Sequence, residues 1–264
     1  MNADHDFYKV LLGPKLGDLL HMLIVPKFLY ECDDQRKSKL YIVEQPHDVF
    51  GSSNTLEQVY EKLYPIIMAQ PFAESFEIYN PEIHTIDFDL NNFRYGKTWG
   101  SVPYWYMFLF EVFQDPRINI PRNYTILDIE PDEKYKDYLV VSRRPDEYNE
   151  FIYDQYDHII SQFDKKIFLT HGMHNYNNFF LKDKIDFVCV ETILEQMKII
   201  KGCKLFLGNS TGTMPMASVL NVNRVFELTE ISEFLYLKED GFYDNAEIIH
   251  MNGYCTPHGK YMKK

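Results

Sequence analysis

Short apolar runs alternate with amphipathic segments along the first half of the chain. Strands are predicted where the apolar runs lie, at residues 7–12, 39–44, 76–79 and 86–90. Helices are predicted where apolar positions recur at helical spacing, at residues 19–30, 54–69 and 102–114. Pro26 predicts a kink in the first helix, because proline removes a helical hydrogen bond. Strands that alternate with helices predict a parallel sheet with right-handed crossovers.

The same alternation starts again in the second half of the chain, after Pro116, Pro121 and Pro131. Strands are predicted at residues 137–142, 166–170, 187–190 and 205–207, with one more before Leu228. Helices are predicted at residues 145–163, 192–201 and 214–220. The chain is therefore predicted to be an α/β protein with two parallel-sheet domains, residues 1–136 and residues 137–264.

Length, composition and charge limit the classes of protein to which the chain could belong. The 264 residues are 45% hydrophobic, enough for one large α/β domain or for two compact domains of about 130 residues. The formal charge of −12 is spread along the chain and repels nucleic-acid phosphates, so a nucleic-acid partner is not expected. No apolar run is long enough to span a bilayer, and the N-terminus lacks signal-peptide features. We therefore expect a cytoplasmic protein without a transmembrane segment.

The residues that commonly bind metals are scattered along the chain. Its cysteines lack Cys-x-x-Cys spacing and are predicted to be reduced thiols: Cys32, Cys189, Cys203 and Cys255. His171 and His174 are three residues apart, which is compatible with a metal site or with a loop that lines a nucleotide base. Because no third ligand accompanies the two histidines, we favour the loop and expect no metal.

A strand, a turn of small residues and a short helix follow one another at residues 205–220. The turn, residues 208–213, has the sequence GNSTGT, so bulky side chains do not cover its backbone N–H groups. The positive end of the helix dipole lies at the same place, and together these features predict a binding site for a diphosphate. The alternative is an ordinary βαβ corner, which also needs small polar residues.

A similar corner follows the first strand. Residues 13–18, GPKLGD, lead from that strand into the first helix. Asp18 is predicted either to cap this helix or to project into the crevice at the carboxyl end of the sheet, where open α/β sheets place their chemistry. Two such corners, one in each half of the chain, predict two similar lobes that face one cleft.

The two corners together resemble a known family. The segment GDLLHMLIVPKFL, residues 17–29, is similar to the N-terminal signature of the bacterial lipopolysaccharide heptosyltransferases and their relatives, glycosyltransferase family 9. The segment LFLGNSTGTMPMASVLNV, residues 205–222, is similar to the C-terminal signature of that family. The resemblance implies the GT-B architecture, in which two Rossmann-like lobes face one cleft. In that architecture the N-terminal lobe binds the acceptor and the C-terminal lobe binds a nucleotide-sugar donor.

The resemblance also implies roles for individual residues. Asp18 corresponds to the catalytic aspartate, a general base that deprotonates the acceptor hydroxyl. The acceptor side of the site is expected to include Lys15, Gly17 and His21. The donor diphosphate is expected to bind Ser210, Thr211, Gly212, Thr213, Arg143 and Arg144. The nucleoside is expected to bind His171, Gly172 and Glu191.

Some of these residues have a second interpretation. Arg143 and Arg144 also fit a surface pair that follows a strand. Glu191 is equally well explained as an exposed helix cap. His21, a single histidine on an apolar helix, is better explained as a hydrogen-bonded core residue.

The sequence thus predicts a metal-independent, inverting GT-B glycosyltransferase that moves a sugar from a nucleotide diphosphate donor to a hydroxyl acceptor such as a glycan. No cofactor is expected apart from the nucleotide-sugar substrate. The alternative is a non-catalytic GT-B-like protein that binds a nucleotide sugar or a glycan and needs the diphosphate corner but not Asp18. A nucleotide-dependent dehydrogenase is disfavoured because no G-x-G-x-x-G follows a strand.

Overall fold

The structure of the chain is a computed structural model. It describes residues 6–44, 54–91, 108–109, 112–114, 124–145, 152–209, 212–227, 246–249 and 255–256. The chain divides into two compact units. The first comprises Met1–Pro121 with Ile126–Asp128, and the second comprises Arg122–Thr125 with Ile129–Lys264. The 3-10 helix Glu133–Tyr135 lies before the predicted boundary at residue 136, and the N–H of Asp132 beside it donates to Lys198 of the second unit.

The first unit contains a parallel sheet of short strands. The strands are β1, Tyr8–Leu12; β2, Ser38–Ile42; β3, Ala73–Ile78; and β4, Phe88–Asp89. They lie side by side in the order β3-β2-β1-β4, and all pairs are parallel. Each strand that the apolar runs predict in this unit is present. The central strands β1 and β2 are mostly buried, as expected in a parallel sheet, whereas the edge strands β3 and β4 are partly exposed.

Pro26 affects where the first predicted helix is interrupted, as the helices of the first unit show. They are α1, Leu16–Met22; α2, Ile24–Cys32; and α3, Leu56–Ile67. The single kinked helix predicted at residues 19–30 is thus two helices, with the break at Leu23. Pro26 cannot donate to the carbonyl of Met22, four residues earlier, and its ring clashes with that carbonyl, so the break precedes the proline. Thr55 and Gln58 form a capping box at the start of α3.

The second unit contains a larger sheet. Its strands are β5, Leu139–Ser142; β6, Lys166–Thr170; β7, Asp186–Cys189; β8, Leu205–Gly208; β9, Arg224–Glu227; β10, Ala246–Ile249; and β11, Cys255–Thr256. Their order is β11-β10-β9-β8-β5-β6-β7, and only β11 runs antiparallel to its neighbour. Strands β5 to β9 are where the sequence predicts them. Strands β10 and β11 were not predicted.

The helices of the second unit include one that the sequence did not predict. They are α4, Ile152–Ile160; α5, Met173–Asn177; α6, Ile193–Gly202; and α7, Thr213–Val219, with a 3-10 helix at Lys182–Lys184. The loop predicted at His171 and His174 contains the start of α5, whose Tyr176 ring packs on Phe168 and Phe187 at centroid distances of 5.7 and 4.8 Å. Tertiary packing therefore overrides the weak local signal.

The core of the second unit lies between the sheet and α4. Residues of four strands, β5, β6, β8 and β9, belong to this cluster, including Leu139, Leu207 and Val225, and they pack with Tyr156 of α4. All of these side chains are fully buried. Most of the predicted helix at 102–114 lies outside the described residues, and the described parts of it, residues 108–109 and 112–113, are helical.

Candidate functional site

The order of the strands creates a topological switch point in each sheet. In the second unit the chain runs from β5 outward through β6 to β7 and then returns to β8 on the other side of β5. In the first unit the switch lies between β1 and β4. Open α/β sheets bind ligands in the crevice outside the carboxyl ends of the strands at such a point. Both corners singled out by the sequence, at residues 13–18 and 208–213, follow strands that border a switch point.

Asn209 joins the two loops at the switch point of the second unit. Ser142 of β5 lies opposite Gly208 of β8, so Arg144 and Asn209 come just after neighbouring strand ends. The backbone N–H of Arg144 donates to Asn209 Oδ1 at 3.1 Å, and Asn209 Nδ2 donates to the carbonyl of Arg144 at 3.1 Å. The Asn209 side chain is fully buried, and its two hydrogen bonds hold the backbone of Arg144 in place.

Arg143 forms a buried ion pair with Glu227. Its Nε donates to Glu227 Oε2 and its Nη2 donates to Glu227 Oε1, both at 2.8 Å. Glu227 is completely buried and Arg143 is 4% exposed. The hydroxyl of Tyr156 also donates to Glu227 Oε2 at 2.8 Å. Burial, and then the charge of Glu227, raise the pKa of the Tyr156 hydroxyl well above its ordinary value.

This ion pair changes the interpretation of the two arginines. Arg143 is buried, so the interpretation of a surface pair is wrong for it, and two of its N–H groups are directed at Glu227. Arg144 is exposed. The sequence analysis did not single out Glu227 or Tyr156. The available signal was a carboxylate at the end of the apolar strand VFE, where a buried charge needs a partner.

The structure describes only some of the other residues of the diphosphate corner, residues 208–213. Ser210 and Thr211 lie outside the described residues. Gly212 is exposed and immediately precedes α7, and Thr213 is buried as its first residue. The described part of the corner therefore lies directly at the beginning of a helix that follows β8, as the sequence predicts.

The predicted nucleoside residues lie at the ends of two adjacent strands. His171 follows β6, and its Nδ1 lies 2.9 Å from the carbonyl of Val190, just after β7. Because a carbonyl only accepts, this contact places a proton on Nδ1. Gly172 and Glu191 come next along the two loops, and both are exposed. The cap of α6 is Thr192, whose hydroxyl accepts from the N–H of Glu195, so the alternative role of Glu191 as the cap is wrong.

The first corner places Asp18 inside the first turn of α1. Asp18 is the third helical residue and is 7% exposed. Lys15 occupies the capping position and makes no side-chain capping hydrogen bond, so the interpretation of Asp18 as the N-cap is wrong. His21 is buried, and its Nδ1 lies 2.8 Å from the carbonyl of Gly17. This contact agrees with the interpretation of His21 as a hydrogen-bonded core residue.

The arrangement of potential ligands and the lengths of the helices bear on metal binding and membrane insertion. Among them, no three histidine, cysteine, aspartate or glutamate side chains come together as a group that could hold a metal ion. No helix within the described ranges is long and apolar enough to cross a membrane.

Comparisons with known proteins give structural matches only. No family model matches the sequence, and no curated protein matches it. A glycosyltransferase family 9 protein from Veillonella parvula matches with a TM-score of 0.61 and 14% identity, over 99% of this chain and 93% of that one. The chain has the fold of glycosyltransferase family 9. The GT-B class of fold predicted from the sequence is thus confirmed, with two parallel-sheet α/β units in succession.

Two further proteins with a similar fold have been solved with a nucleotide or a nucleotide sugar. Heptosyltransferase WaaC of Escherichia coli, solved with ADP, matches with a TM-score of 0.58 and 11% identity, over 92% of this chain and 93% of that one. The iron-containing dodecameric glycosyltransferase TibC of enterotoxigenic E. coli matches with a TM-score of 0.54 and 14% identity, over 84% of this chain and 58% of that one. TibC has also been solved with ADP-D-beta-D-heptose.

Proposed function

We propose that this protein is a glycosyltransferase that moves a sugar from a nucleotide diphosphate donor to a hydroxyl acceptor, such as a glycan. The observation that carries the proposal is the family 9 fold, which extends over nearly the whole chain. The positions of the two corners support it, because each follows a strand beside the switch point of its sheet. A fold alone does not fix an activity, so the residues at these corners carry the chemical part of the proposal.

Asp18 is the general base in this proposal. Inverting transfer needs a carboxylate that takes the proton from the acceptor hydroxyl as the new glycosidic bond forms. Asp18 lies at the corner after β1, in the first turn of α1, where the helix dipole stabilises a carboxylate. Lys15, Gly17 and His21 surround it in sequence and are proposed to form the acceptor side.

The corner of the second unit is proposed to bind the donor. The departing diphosphate gains negative charge, which Arg144 and the backbone N–H groups of residues 210–213 would neutralise. The exposed ends of β6 and β7, at His171, Gly172 and Glu191, are proposed to bind the nucleoside. With a guanidinium available for this charge, we propose that transfer needs no metal and therefore continues in excess EDTA.

Donor binding is the first test. ADP-, UDP-, GDP- and CMP-sugars are each added to the full chain and the melting temperature is measured, with ADP-sugars first because WaaC and TibC were solved with adenine nucleotides. A donor at about 100 times its Kd should add roughly 2.7 kcal/mol of stability. If none of the four classes raises the melting temperature, the proposal is wrong.

Asp18→Asn tests the chemical step. The substitution keeps the shape of the side chain and removes the base, so transfer should slow by roughly 10²–10⁴-fold while donor affinity is unchanged. Glu57→Gln is the matched control, since it removes another acidic residue from the first turn of a helix in the same unit. Parental transfer by Asp18→Asn would exclude Asp18 as the base. Donor binding without any transfer by the parent would favour the non-catalytic alternative.

A further inference from the structure

The backbone of Arg144 is held from two sides. Asn209 donates to its carbonyl and accepts from its N–H, and Arg143 Nη1 donates to the same carbonyl at 3.2 Å. The side chain of Arg144 is exposed, whereas the side chains of Asn209 and Arg143 are buried. Three hydrogen bonds from buried side chains thus fix the backbone of Arg144, on both its N–H and its C=O side, just after β5 and beside the switch point of the sheet.

A second layer of contacts fixes Arg143 itself. Glu227 accepts two hydrogen bonds from the guanidinium and a third from Tyr156. The guanidinium carbon also lies 5.2 Å from the ring centroid of Phe180 and 5.9 Å from that of Tyr156. Arg143 and Glu227 come from strands on opposite sides of β8, so their pair extends across the end of that strand.

We propose that Asn209 and Arg143 are positioning residues that fix the backbone of Arg144, and that Arg144 is the arginine that contacts the donor diphosphate. The inference rests on the proposed function. It replaces the expectation that both arginines bind the phosphates. Moving Arg143 to an anion would separate it from Glu227 and leave that carboxylate buried without its counter-charge, which is strongly unfavourable.

The test measures binding of two probes, inorganic pyrophosphate and ADP, by isothermal titration with the full chain. Arg144→Ala should weaken the affinity for each probe by roughly 10-fold to 100-fold, the loss expected for a charge-assisted contact. Asn209→Ala should weaken it by at least about threefold in the parent and by less than about twofold in the Arg144→Ala background. A residue that acts only through Arg144 has no effect once Arg144 is absent.

Gln70→Ala is the matched control for general destabilisation. Gln70 is a buried amide in the first unit that likewise holds the backbone of one residue, with Nε2 donating to the carbonyl of Asp128 and Oε1 accepting from its N–H. Its removal should lower the melting temperature as Asn209→Ala does and leave the affinity for pyrophosphate unchanged. An equal loss of affinity in Gln70→Ala would overturn the positioning role of Asn209.

Arg143→Lys separates positioning from direct contact and serves if Asn209→Ala does not fold. Lysine keeps the charge opposite Glu227 but lacks the planar fork that also reaches the carbonyl of Arg144. Its effect on affinity should disappear in the Arg144→Ala background. An effect that persists there would show direct contact by Arg143 and overturn the inference while the proposed function stands. If the parent binds neither pyrophosphate nor ADP nor any other nucleoside diphosphate, the proposed function itself fails.

Discussion

Replacing Glu227 by leucine tests whether its pair with Arg143 is a desolvated charge pair. Glu227 is completely buried, Arg143 is 4% exposed, and both N–H···O distances are 2.8 Å. Leucine removes the carboxylate that neutralises the guanidinium, which should cost about 3–5 kcal/mol of stability. It also removes the acceptor of the buried Tyr156 hydroxyl, for a further ~1–3 kcal/mol.

A triple variant, Arg143→Met with Tyr156→Phe and Glu227→Leu, provides the comparison. It replaces the whole network by apolar side chains of similar size, so no buried charge or hydroxyl is left without a partner. Such replacements are often neutral or stabilising, and we expect the triple variant to lie within about 2 kcal/mol of the parent. Glu227→Leu alone should thus lower the stability much more than the triple substitution does.

Amide hydrogen exchange in β5 and β9 is the appropriate assay. Both tryptophans, Trp99 and Trp105, belong to the first unit, so tryptophan fluorescence does not follow the second. Exchange of the amides in the two strands gives the free energy of opening where the substitutions lie. Asp137→Asn is the control, because Asp137 and Lys165 form an exposed ion pair at 3.4 Å, and its loss should leave the opening free energy nearly unchanged.

Two results would contradict this reasoning. An opening free energy of Glu227→Leu within about 1 kcal/mol of the parent would mean that the pair behaves as an exposed one. A triple variant as unstable as the single one would mean that the network matters for some reason other than the burial of charge.

Three further predictions concern buried groups of the second unit. The pKa of Tyr156 lies well above its ordinary value of 10.0, so the native state keeps a proton that the unfolded chain loses. Stability should therefore fall as the pH rises above 10, and Tyr156→Phe should reduce that fall in melting curves from pH 8 to 11. Gly208→Ala places a Cβ 2.5 Å from the backbone oxygen of Ser142 and should cost about 1–3 kcal/mol in urea unfolding, whereas Gly172→Ala, with open space around it, should not. Cys203 is partly exposed as a residue, but burial of its thiol raises the pKa to about 12, so mass spectrometry should find it unmodified by iodoacetamide at pH 8 until urea is added.

Much of the fold follows from local sequence. Apolar runs, turn residues and proline act on the few residues around them, and so the strands β1 to β9 lie where the sequence predicts them. The same local patterns placed Asp18 at the start of the helix that follows β1, and Arg144 just after β5. Local patterns did not predict α5, because it depends on packing against β6 and β7.

Tertiary structure alone decided which charges are buried. Arg143 and Glu227 are 84 residues apart in the chain and meet because β5 and β9 lie on either side of β8. The sequence shows only that Arg143 follows a strand. Whether such an arginine is exposed or buried depends on the residues that pack against it. A charged side chain is stably buried only beside a counter-charge with good geometry. The order of the strands supplies that partner, and the local sequence pattern does not.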